Sequence, residues 1–104
     1  GTTYTRVLDG GTTPFIARGT FTGIVRATVK ARAAAVGVQP CLRCVTDYPA
    51  AGSEQTGASV VTGAGVEVEQ TFPVSIVTGK RYELHFKTDT AGASGYAAGQ
   101  LETS

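Results

Sequence analysis

The chain has 104 residues, of which 16% are charged, and a net charge of +1. That length fits one domain with one core, and so even a balance offers no electrostatic footprint for a nucleic acid or an anionic membrane. No apolar run reaches the roughly 18 residues that span a bilayer, and the N-terminus shows no basic stretch followed by an apolar one, so neither membrane insertion nor a signal peptide is expected. Methionine is absent, which reads Gly1 as the start of a processed or excised piece.

Thr and Val favour pleated backbone and the glycines punctuate it, so the composition points to strands and turns. Tyr4 to Leu8 and Phe15 to Phe21 read as short strands, joined by the turn signal Asp9-Gly10-Gly11. From Ile24 to Arg32 the chain alternates strictly: Val25, Ala27, Val29 and Ala31 take one parity, Arg26, Thr28, Lys30 and Arg32 the other. A half-buried strand follows from that period, ending near the Ala33-Ala34-Ala35 run. Val36, Val38, Leu42 and Cys44 repeat the logic, with Pro40 at an edge position or bulge. A turn at Asp47-Tyr48-Pro49 and a small-residue loop from Ala50 to Gly57 come next.

Ser59 to Thr62 and Val66 to Phe72 are the following strands, the second placing Val66, Val68 and Phe72 inward and Glu67 and Glu69 outward. Arg81 to Thr88 is the clearest: Tyr82, Leu84 and Phe86 point one way, Glu83, His85 and Lys87 the other. Asp89 to Gly95 forms a loop, and Tyr96 to Leu101 a last strand. Some eight short strands at this spacing predict an all-β antiparallel sandwich. Its shared core is expected from Tyr82, Leu84, Phe86, Val25, Val29 and Phe72.

From Val45 to Gly99 the chain runs through a polar turn, a small-residue loop and a Ser-Val-Val strand, then Thr71-Phe72-Pro73-Val74-Ser75-Ile76, Thr78-Gly79-Lys80-Arg81-Tyr82, and finally Gly95-Tyr96. This stretch resembles the jelly-roll accessory domains of phage virion proteins and bacterial surface proteins, with their F-x-x-x-x-L-x-x-G-x-x-Y segment and later tyrosine. The resemblance implies a jelly-roll-like path and a non-catalytic role in assembly or carbohydrate binding. The residues themselves give Gly79 the positive φ of a tight turn and send Tyr82 into the core, its hydroxyl meeting a backbone partner near the edge.

Chemistry is tested by elimination. The one histidine, His85, takes the outward parity of a strand and reads as a surface residue, and no serine sits in a nucleophile-elbow motif, so no triad assembles. Glu67, Glu69 and Glu83 read as a solvated sheet face rather than paired catalytic acids. Cys41-Leu42-Arg43-Cys44 lacks further zinc ligands, and in an extended strand its Cα atoms lie about 10 Å apart, too far for a disulfide unless a bulge intervenes. Cys44 is read as buried and Cys41 as near the surface. Asp9, Asp47 and Asp89 sit in turns, where capping of backbone N–H groups is the plainer role than calcium binding.

No enzyme, cofactor or metal is therefore expected, and binding surfaces remain. The candidates are Tyr48 with Asp47, and Tyr96 with Asp89, on loops or strand ends of a rigid scaffold. The expected partners are protein subunits of a larger assembly, including copies of the chain in a homo-oligomer, or a cell-surface glycan or receptor. Their setting is a virion or the extracellular or cell surface. With no Trp and four Tyr the supply of sugar-stacking rings is thin, which ranks assembly first, a carbohydrate-binding module second and a ligand-free spacer third.

Overall fold

A computed structural model describes residues 5–6, 15–32, 35–90 and 93–103. They form β1 (Thr5–Arg6), β2 (Phe15–Ile16), β3 (Phe21–Ala31), β4 (Val36–Cys44), β5 (Glu54–Thr56), β6 (Val60–Thr62), β7 (Val68–Ile76), β8 (Arg81–Thr88) and β9 (Gly95–Thr103), with no helix among them. Two antiparallel sheets pack face to face. One has the order β1-β8-β4-β5, with β2 also on β8 and β6 also on β4; the other has the order β7-β3-β9. The predicted turn at Asp9-Gly10-Gly11 lies outside the described residues.

The alternation seen in the sequence becomes the division between layers. In β3 Val25, Ala27, Val29 and Ala31 are all at most 1% exposed, and they meet Val38, Leu42 and Cys44 of β4 and Tyr82 and Leu84 of β8. Phe72, Val74 and Ile76 of β7 and Ala97 of β9 complete the core. Phe86 has the expected parity but is half-buried, packed against the core rather than inside it. Val66 corrects the expectation for its segment: it precedes β7 and is 54% exposed, so β7 begins two residues later with Val68. Glu67 and Glu69 also part company with Glu83, since they attach to the β7-β3-β9 sheet and Glu83 to the other.

Two local devices shape the ends and edges. Gly79, at φ +85°, closes the turn between β7 and β8, and Val77 N–H then donates to Tyr82 Oη at 2.8 Å, the backbone partner foreseen for that hydroxyl. Pro40 lies inside β4, not at its end. Its carbonyl accepts from Gly57 N–H, so its missing N–H falls on the side where β6 stops at Val38 and β5 starts at Cys41. A proline costs no ladder bond in such a gap.

Candidate functional site

The four residues singled out in the sequence divide between opposite ends of the molecule. Asp47 and Tyr48 follow β4 where β8 begins, close to Lys80 and Arg81. Asp89 follows β8 at the far end, where its Oδ1 accepts from Gly37 N–H at 3.1 Å, and Tyr96 pairs with Lys30 near the end of β3. The eight residues of β8 separate Lys80 from Asp89, a span of roughly 30 Å for extended chain. They form two places, not one.

At the Tyr96 end the ring lies on the outer face of the β7-β3-β9 sheet, with Lys30 Nζ 5.2 Å from its centroid. Lys30, Ala31, Arg32, Gly65 and Tyr96 line a shallow recess there of about 480 Å³. Tyr96 is half-buried in a strand rather than carried on a loop. Asp89 performs the capping role predicted for it and lines a separate recess with Gln39, Ser59, Lys87 and Thr88.

The Tyr48 end is more highly organised. Tyr48 is 46% exposed, and its ring lies over the Arg43 guanidinium, with Cζ 3.9 Å from the centroid. Arg43 is held in turn by Glu54, whose Oε2 accepts from Nε at 3.1 Å and from Nη2 at 2.9 Å. Both members of that pair are largely shielded from solvent, which keeps the fork in one place. Beside them Lys80 Nζ meets Asp47 Oδ2 at 2.5 Å; the ammonium holds the Asp47 carboxyl below its ordinary range, and the carboxylate raises Lys80. Asp47 thus serves an ion pair, not the backbone cap expected of it. Arg43, Glu54 and Lys80 were not singled out in the sequence. Glu54 in particular sits in β5, three residues within what reads as a small-residue loop.

From Arg43 the outer face of the larger sheet leads to a covered pair. Cys41 and His85 are register partners on β4 and β8 and point away from the core, as their parity requires, yet they are 0% and 6% exposed. Both expectations of surface positions are corrected: an outward direction does not guarantee solvent when long neighbours such as Arg43 and Glu54 lie over the face. Burial, and after it the Glu54 charge, pushes the Cys41 thiol up to about 12, so it is protonated and a poor nucleophile at neutral pH. Cys44 is buried too, and both cysteines are free thiols. Among the described residues no group of three or more His, Cys, Asp or Glu is arranged to hold a metal ion.

Among the described residues neither ring nitrogen of His85 has a well-formed hydrogen-bond partner, and Nε2 lies 3.4 Å from Glu83 Oε2. Burial, followed by the Arg43 charge, lowers the His85 pKa below 6.5, while Glu83 and Glu54 pull it back. On acidification the unfolded chain therefore takes up this proton before the native one does. The stability present above the unfolded value of 6.5 is lost as the pH falls from there through the lowered native value. Urea midpoints measured from about pH 7.5 to about pH 5 should fall across that window, and His85→Gln should flatten the dependence. An unchanged slope in the variant would mean that His85 titrates in solvent.

Comparison with protein-family models, curated proteins and solved structures finds no match. The organisation of the two ends is what bears on function.

Proposed function

We propose that the chain is a non-catalytic binding and assembly module, a phage virion component used for assembly, capsid decoration or host attachment. The observation that carries this reading is the presentation of Tyr48. An exposed aromatic ring backed by a guanidinium, itself fixed by a carboxylate, reaches a partner with little side-chain freedom left to lose. Aromatic anchors with this preorganisation dominate protein contacts. Both thiols are buried, and the single histidine is covered, so the described residues offer this surface contact more readily than a reacting group. A jelly-roll-like path belongs to the same proposal, supported by the pairing of β1 with β8 and by the repeated passage of the chain between sheets at the β2–β3, β3–β4, β6–β7, β7–β8 and β8–β9 connections.

A sugar ligand would stack on the face of Tyr48 that Arg43 leaves free, but the ring of Tyr96 is at the other end of the molecule and cannot share the work. This favours a protein partner. The test introduces Tyr48→Ala into the gene that encodes the chain and compares incorporation into particles with the melting temperature of the purified domain. Incorporation should weaken by about fivefold to thirtyfold, as loss of an anchor of about 1–2 kcal/mol implies, while melting is preserved. Normal incorporation would overturn the reading. A glycan-array signal abolished by Tyr48→Ala would replace it with carbohydrate binding.

A further inference from the structure

The strand edges of this molecule are treated unequally. The outer edge of β8 is covered by β1 and β2, and that of β4 by β5 and β6, each of those strands being only two or three residues long. The edge of β7 is blocked chemically. Gln55 donates to Ser75 O at 2.9 Å and accepts from Ser75 N–H at 2.6 Å, Gln70 does the same for Ala58 O and N–H, and Pro73 has no N–H to offer. The Gln55 amide and the missing N–H of Pro73 thus close two neighbouring docking positions on β7, while the amide of Gln70, itself in β7, is engaged with the backbone of Ala58.

The remaining edge has none of this. β9 runs for nine residues, pairs with β3 from Gly95 to Thr103, and has no strand beyond it among the described residues. It contains no proline and no lysine or arginine, and its centre, Ala97-Ala98-Gly99, has side chains too small to screen the backbone. A long regular edge of this kind is a template for another strand.

We infer that β9 pairs antiparallel with β9 of a second copy of this chain, two-fold about Gly99, giving one continuous sheet β7-β3-β9-β9-β3-β7. The pattern of β9 is self-complementary in that register. Gly99 is the strand's midpoint, so each inward residue meets an inward one: Ala97 lies opposite the partner's Leu101, which extends the apolar face and covers a leucine that is only partly buried in one copy. On the outer face Ala98 lies opposite the partner's Gln100, and Tyr96 opposite the partner's Glu102. That brings the Lys30 cation beside Tyr96 towards the acidic end of the other strand. An isologous contact of this type closes on itself and stops at a dimer. It supplies a partner surface for the assembly reading and is separate from Tyr48.

The test is sedimentation equilibrium of the purified chain together with two charge-paired variants, A98K/Q100K and A98E/Q100E. The wild type should dimerise. Each variant places like charges opposite one another twice and should dissociate with a constant at least about tenfold higher, while an equimolar mixture of the two should regain the dimer. Circular dichroism and melting establish that the variants fold. Amide exchange of the wild type adds an independent readout, with protection in β9 rising with protein concentration and protection in β7 unchanged. A wild type that stays monomeric, or a dimer indifferent to both variants, overturns the pairing; failure of the mixture to recover overturns the register about Gly99. Tyr48→Ala should dimerise like the parent, and if it does not, the interface lies on the Tyr48 face and β9 is not the contact.

Discussion

Alanine at position 84 should destabilise the domain by about 2–5 kcal/mol, the range for removing a fully buried leucine whose surroundings cannot collapse into the space. Leu84 is 1% exposed, lies in β8 beside β4, and belongs to the core that joins the two sheets. Its neighbours are held by ladders on both sides, β8 against β4 and β3 against both β7 and β9, so the cavity can shrink only if a sheet moves as a unit. A domain of this size has about 5–15 kcal/mol in total, and each kcal/mol shifts its melting point by about 4–8 °C. Loss of about 10 °C or more is therefore the expected result of a thermal melt. Phe86→Ala provides the internal comparison: the ring is larger, but it is half-buried at the core margin, so its removal should cost less than a fully enclosed phenylalanine would. A change below about 1 kcal/mol for Leu84→Ala would mean that this face of β8 does not meet the other sheet.

What the sequence conveyed of the fold was whatever a period of two can carry. Val25 to Ala31 and Tyr82 to Leu84 bury the residues their parity selects, because alternation is a property of a single strand. Burial of the opposite face is not. His85 and Cys41 point outward yet are covered, a consequence of which side chains lie across that face and so of contacts between residues distant in sequence. β5 was unreadable for the same reason: Glu54, Gln55 and Thr56 have no alternating apolar pattern and are strand-like because β4 offers Cys41, Leu42 and Arg43 as partners. The Tyr48 site was half legible. An aromatic in a turn marks a contact residue, but its backing by Arg43 and Glu54 depends on β4 and β5 lying side by side. Asp89 and Tyr96, attractive separately, are kept away from Tyr48 because β4 pairs with β8 and sets the Asp47-Tyr48 turn beside the start of β8, a long-range pairing that no local signal reports.

Gly99→Ala should also be costly, about 1–3 kcal/mol or somewhat more, although it adds a single methyl group. Gly99 is the register partner of Ala27 in β3 and points inward, where a Cβ would come 2.5 Å from the Arg26 carbonyl oxygen and 3.1 Å from both Ala27 Cα and Leu84 Cδ2. The first distance decides the sign. A flexible side chain could rotate aside, but the Arg26 oxygen is backbone of β3, the middle strand of its sheet, paired on both sides from Gly23 to Val29. To relieve the clash, β9 must separate locally from β3, weakening the ladder and loosening the contact of Ala97 and Leu101 with the core. The double variant Gly99→Ala with Leu84→Ala distinguishes the two sources of strain. Shortening Leu84 removes one neighbour of the new methyl and leaves the carbonyl in place, so the double variant should be at least as unstable as Leu84→Ala alone, with only a small favourable coupling in a double-mutant cycle. Full rescue, with the double variant more stable than Leu84→Ala, would show that Leu84 was the obstacle and that β3 and β9 have room between them.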